Sequence, residues 1–126
     1  MAKERKKILK GQTVLIPTAC GKLYVSINFD GDIPFELMGR MGKTGGCVAS
    51  HIEALGRMCS LALQYDAPPK EMIKHLEGIR CPNQKENGDS VTSCADAFAK
   101  ALKMIVYPEE LKEEPKKDHK PRPANE

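Results

Sequence analysis

The spacing of apolar residues changes once along this chain, and that change constrains the fold more than any other feature. From Lys22 to Phe29 apolar and polar side chains alternate. Leu23, Val25, Ile27 and Phe29 fall on one face, and Lys22, Tyr24, Ser26 and Asn28 on the other. A period of two is that of a strand buried on one side. Asp30-Gly31 follows, a pair suited to a tight hairpin turn. "PFELMGRM" alternates again, with Phe35, Leu37 and Met41 opposite Glu36, Met38 and Arg40. A short β-prone run, "TVLIP" (13–17), comes first, joined through the turn residues of "TACGK". A three-stranded antiparallel meander is predicted.

Beyond Gly46 the period becomes helical. Val48, Ile52, Leu55, Cys59 and Ala62 recur every three or four residues, with Glu53, Arg57, Ser60 and Gln64 on the far side. An amphipathic helix is predicted over 46–65. "DAPPKEMIKHLEG" predicts a second, with Pro and Glu71 in its first turn and Gly78 just past its end. "SCADAFAKALKMIV" predicts a third, with Ser93 as N-cap and Asp96 three residues on, an approximate capping box. Strands followed by helices make an α+β domain, with the helices packed on one sheet face.

Charge divides the chain into three parts. Residues 1–10 carry five Lys/Arg against one Glu, residues 11–107 ten of each sign, and residues 108–126 five basic against six acidic side chains. The division expected is a basic arm (1–10), a folded domain (11–107) and a disordered charged tail (108–126). The arm could touch nucleic acid, though a solvated terminus is the plainer reading. The neutral domain argues against generic DNA binding, which needs many phosphate contacts. No apolar run is long enough to span a membrane, and "MAKERKKILK" lacks a signal peptide's apolar stretch, so a cytoplasmic protein is expected. In that compartment its five cysteines would be reduced, metal-bound or reactive.

"MGKTGGCVASH" (41–51) poses the functional question. A P-loop would need glycine at position 37, which is Leu37, and the stretch does not match GxGxxG. A weaker anion site remains open: Gly45 and Gly46 let backbone amides approach a ligand, with Lys43 and Thr44 beside them at a helix N-terminus. A plain strand-to-helix loop would look the same. Cys47 opens the first long helix and Cys94 the third, where the positive helix end should favour thiolate. Cys20 lies in the first turn and Cys81 follows the second helix. Cys59, mid-helix on the apolar stripe, reads as core. Four thiols at element ends could meet as a four-cysteine zinc site, with His51, one turn after Cys47, as a second-rank ligand. Separate free thiols or thiol redox chemistry fit the same positions, because no C-x2-C knuckle is present.

"CGKLYVSIN", "MGKTGGC", "EALGRMCSLAL", "LEGIRCP" and "TSCADAFAKAL" together resemble the TSCPD domain, best known as the C-terminal part of adenosylcobalamin-dependent ribonucleotide reductases and also found as small standalone proteins. The name-giving motif reads Thr92-Ser93-Cys94-Ala95-Asp96, with alanine where the family has proline. The resemblance implies that Cys20, Cys47, Cys81 and Cys94 are the family cysteines and would hold one zinc per chain. It implies a role in nucleotide metabolism and DNA replication, as a non-catalytic module with a ribonucleotide reductase or a nucleotide as partner. It does not supply the reductase's barrel, radical cysteine or cobalamin site, so catalysis is not expected. The alternatives are a nucleotide- or anion-binding protein using the 42–46 loop, and a thiol redox accessory of a reductase with Cys47–Cys94 as a bridge. Met38 and Met41 near the sheet edge leave a homodimer possible.

Overall fold

A hairpin turn at Gly31-Asp32 and another at Ala19-Cys20 reverse the chain twice and lay down an antiparallel sheet in the order β1 (Lys10–Thr18), β2 (Gly21–Asp30), β3 (Ile33–Met41). This computed structural model describes residues 3–42, 46–81 and 91–109. Three helices follow: α1 (Gly46–Gln64), α2 (Pro69–Leu76) and α3 (Cys94–Val106). Among the described residues no helix is long and apolar enough to cross a membrane. Pro108 and Glu109 have helical backbone; the rest of the expected tail lies outside the described residues.

The predicted α+β order holds, with three adjustments. The second turn is centred one residue later than the Asp-Gly pair suggests, because Asp30 pairs with Ile33 and Gly31 takes the positive φ of 68°. Only the first central residue is left-handed, the arrangement that wants glycine there. Strand β1 runs back to Lys10, well before the apolar run, because Lys10 to Gln12 pair with Phe29 to Ile27. The ladder, which sequence hydropathy does not register, holds those polar residues extended. In α1 the buried line is Ile52, Gly56, Cys59 and Leu63, and Ser60 turns inward from the expected polar stripe.

Ser60 has a definite task. Its Oγ donates to the Leu37 carbonyl and accepts from the Leu37 N–H, both at 2.9 Å. Strand β3 is a sheet edge, where unpaired backbone groups would otherwise be exposed. Helix α1 thus covers that edge, and Gly56 permits the approach: a Cβ there would stand 3.2 Å from the Leu37 carbonyl oxygen. Helix α3 packs over β1 and β2, and α2 packs on α3.

The core lies between the inner sheet face and the helices. Leu23, Val25, Ile27 and Leu37 meet Ile52, Cys59 and Leu63 of α1 and Phe98 and Leu102 of α3. The alanines 97, 99 and 101 are fully buried and let α3 settle close to its neighbours. Gly39 makes room for Phe98; a Cβ at that position would be 2.6 Å from the ring's Cζ. Burying Phe98 contributes roughly 2–3 kcal/mol by apolar transfer alone.

The basic arm is docked on the body. Lys3 pairs with Asp66 at 2.6 Å and Lys6 with Asp30 at 2.8 Å. Arg5 makes a two-pronged bond to Glu36, from Nε to Oε1 at 3.0 Å and from Nη2 to Oε2 at 3.1 Å. Most of residues 3–10 nevertheless remain exposed, so the arm is solvated while its charged side chains pair with the body. Acidic side chains scattered through the body, invisible as a patch in the sequence, converge under the arm.

Candidate functional site

Thr18 organises the first turn. Its hydroxyl donates to the Gly21 carbonyl at 2.8 Å and accepts from the Cys20 N–H at 3.1 Å. These bonds pin the two-residue loop that presents Cys20. The Cys94 thiol approaches the same hydroxyl, with Sγ 3.9 Å from Oγ1. Cys94 is the first residue of α3, and Ser93 caps the helix by accepting from the Asp96 N–H at 2.9 Å. Cys81 is brought up by a backbone bond from its N–H to the Thr92 carbonyl at 2.8 Å. Cys20, Cys81 and Cys94, from three separate segments, are thus neighbours at one end of the sheet.

Asp96 holds that end together. It is 1% exposed, yet it is an acid inside an alanine-rich helix. Its Oδ1 accepts from the Gly78 N–H at 2.9 Å and its Oδ2 from the Thr92 N–H at 3.0 Å, and Lys100 pairs with it at 3.1 Å. Gly78, at φ 87°, is the residue just past the α2 C-cap. One carboxylate therefore ties the end of α2, the segment before α3 and the first turn of α3. The reciprocal half of a capping box would send the acid back to the Ser93 N–H; here the acid bonds Thr92 and Gly78 instead. Charge-assisted bonds of this kind are strong when buried. Local pattern reads Asp96 as a capping residue; the lone acid in "ADAFAKAL" with Lys100 four residues on is the signal for its wider role.

The electrostatics differ from expectation at Cys94. Burial pushes its thiol above the ordinary range, the Thr18 hydroxyl pulls the other way, and the Cys20 and Cys81 thiols push it further up. The expected low-pKa thiolate at Cys94 is therefore not supported: desolvation first, then the two adjacent thiols, hold the thiol up. A bound cation would invert that balance. Among the described residues no three His, Cys, Asp or Glu side chains are gathered closely enough to hold a metal ion. Three thiols are a donor type that suits a soft metal such as zinc.

The other candidates fall elsewhere. Cys47, in the first turn of α1, is exposed, and Ser50 Oγ donates to its carbonyl at 3.0 Å. His51 is exposed one turn later. Lys43, Thr44 and Gly45 lie outside the described residues, and Gly46 is the first residue of α1. Gly42 is tied to β2 by a bond from its N–H to the Lys22 carbonyl at 2.9 Å, so the chain reaches α1 from the same end of the sheet that carries Cys20. Cys59 is buried among apolar side chains, which push its thiol up to about 11.

Comparison with known proteins finds no match among curated proteins and none among solved structures. A family model does match: that of the TSCPD domain, over residues 1–106, which include the docked arm. The same domain is found at the C-termini of ribonucleotide reductases. With the five sequence motifs, the meander and the thiol-bearing α3 N-terminus all inside the matched span, this chain belongs to the TSCPD domain family.

Proposed function

We propose that this chain is a non-catalytic binding or accessory module linked to nucleotide metabolism, and that its fold is stapled by one zinc ion. Cys20, Cys81 and Cys94 would hold the metal, with Cys47 as fourth ligand and His51 as its substitute. The observation that supports this reading is that the Cys94 thiol, beside the Thr18 hydroxyl, lies near enough to the Cys20 and Cys81 thiols of two other segments for both to act on it. A structural zinc supplies folding energy by cross-linking segments distant in sequence. The chain's own part is to place those segments: Thr18 orients Cys20, Asp96 fixes the backbone on either side of Cys81 and Cys94. Asp96, the buried carboxylate at this end among the described residues, is engaged by two amides and Lys100, a structural role.

The test is the metal content of protein purified without added metal. About one zinc per chain is expected, lost in Cys94→Ser and kept in Cys59→Ser. A metal-free protein whose Cys20, Cys81 and Cys94 all titrate freely would overturn the zinc. One observation favours a second reading. The thiol within hydrogen-bonding reach of Cys94 is Cys20. In a redox accessory the bridge would then join Cys20 to Cys94 instead of Cys47 to Cys94, and mass spectrometry after mild oxidation would identify it.

A further inference from the structure

The outer face of the sheet is uncovered, and α1 rises along its β3 edge. Between them lies an open groove of about 860 Å³. Its floor is built by register. Leu15, Tyr24 and Arg40 make one cross-strand row; Thr13, Ser26 and Met38 make the next. Met38, which lines the groove, is 48% exposed, and Leu15, on the far edge strand of the same face, is 46% exposed. The Thr13 and Ser26 hydroxyls lie 2.7 Å apart and together offer hydrogen bonds to whatever lies above them.

Charge in the groove is unbalanced in one place. Along its helical wall Arg57 is neutralised by Glu53 at 2.7 Å. At one end Glu36 is neutralised by Arg5 and accepts a further hydrogen bond from the Asn28 amide. Arg40 has no carboxylate partner among the described residues; its guanidinium sits 5.7 Å from the centroid of the Tyr24 ring. Lys22, likewise without an acidic partner among them, is on the same face one row further on, just beyond the residues that line the groove. The groove thus pairs a flat apolar floor carrying two hydroxyls with a cationic end.

We propose that this groove binds a mononucleotide: its base lies on Met38 and Tyr24 with the Thr13 and Ser26 hydroxyls at its edge, and its phosphate is held by Arg40 and Lys22. A stacked base on an aromatic side chain and a guanidinium on phosphate are both favourable pairings. The size fits, since small-ligand sites run from roughly 300 to 1,000 Å³. Length argues for a single nucleotide over a strand of nucleic acid. Arg40 to Glu36 spans four residues of strand, about 13 Å, and the Arg5–Glu36 pair closes that end. Two cations are also few for a strand track. A second copy of the chain is disfavoured, because stacking two such faces would bring Arg40 and Lys22 against their own kind. The site is on the opposite face of the sheet from α3 and does not depend on metal at the thiol end.

Titration calorimetry with AMP, adenosine, ribose 5-phosphate and a ten-residue oligodeoxyadenylate tests this directly. AMP is expected to bind at least about tenfold tighter than adenosine or ribose 5-phosphate, since each lacks one half of the contacts. Arg40→Ala and Tyr24→Ala should each weaken AMP about tenfold or more. Lys74→Ala, on the exposed side of α2, should not. All three positions lie outside the core, and circular dichroism would verify folding. Unchanged AMP affinity in Arg40→Ala overturns the site. Equal binding of ribose 5-phosphate and AMP overturns the base contact. An oligonucleotide that binds far tighter than AMP replaces the mononucleotide with a strand. A concentration-dependent dimer that AMP does not dissociate assigns the face to a second copy. The groove lies on the opposite sheet face from the thiol cluster, so AMP binding and metal content are read separately, and failure of the zinc reading does not remove the site.

Discussion

Asp96 and Glu36 are both buried acids, at opposite ends of the sheet, and the fold neutralises them differently. Asp96 is satisfied chiefly by backbone: two amide N–H groups from segments distant in sequence, with Lys100 completing the set. Glu36 is satisfied by side chains: Arg5 from the N-terminal arm and Asn28 across the strand pair. Backbone donors cannot swing away without unfolding the segments they belong to. A guanidinium on a terminal arm can leave and be replaced by water. The Asp96 end is therefore part of the cooperative fold, and the Glu36 end is a strap that can open locally.

The largest expected effect follows from that difference. Asp96→Asn keeps the shape, removes the charge, and sets an amide NH2 against an N–H donor. A loss of roughly 2–4 kcal/mol is expected, read by urea unfolding. Alkylation of Cys81 should quicken in the same variant, because the segment that positions it loses its anchor. If Asp96→Asn unfolds like the parent protein, the distinction between the two ends collapses.

Gly39→Ala probes the core that both ends share. The added methyl would lie 2.6 Å from Phe98 Cζ and 2.9 Å from Ile52 Cγ2. Overpacking of this kind costs about 1–3 kcal/mol. Pairing it with Phe98→Leu should recover part of the loss, as a double-mutant cycle would reveal.

Glu36→Gln should cost less than either, and acid should reproduce it. The hydrogen bond from Arg5 is the main cause that holds the Glu36 carboxyl below its usual range, with Asn28 and the Arg5 charge assisting against burial. A lowered folded pKa means that the contribution is complete above the unfolded value, about 4.3, and is lost as pH falls through the folded one. Stability measured below pH 5 should therefore drop less in Arg5→Ala than in the parent protein. Parallel acid profiles for the two would separate the strap from Glu36.

The smallest effect is on rate alone. Cys47 is exposed and Cys59 is buried with its thiol pushed up to about 11. Iodoacetamide at pH 8 should label Cys47 first and Cys59 last, followed by mass spectrometry. The order among Cys20, Cys81 and Cys94 then reports whether the thiol cluster is shielded by metal.

Much of this architecture is legible residue by residue. The alternation at 22–29 places Leu23, Val25 and Ile27 in the core, and each is fully buried. Ser93 caps α3, Gly78 follows the end of α2, and Cys59 is core, all read from local rules. Ser60 was not legible, because a serine on a polar stripe gives no hint that an edge strand lies beneath it. Nor was Arg5, because its partner Glu36 is 31 residues away and alternates like any exposed strand residue. At the thiol end, position in the chain pointed to Cys20, Cys47, Cys81 and Cys94, and the family motifs supported the same set. That Cys20, Cys81 and Cys94 are mutual neighbours, and that burial raises Cys94, required the packed structure.

Sequence by itself determined what depends on neighbours along the chain: strand and helix periods, caps, turns, and family membership through five ordered motifs. Only the tertiary structure decided what depends on distant segments meeting. It put Asp96 under the amides of Gly78 and Thr92, folded the basic arm onto Asp66, Glu36 and Asp30, and left a groove beside Tyr24 and Arg40. Local propensities carry no information about which buried charge will face which donor. That pairing is set by the requirement that each buried polar group be satisfied once the core has closed.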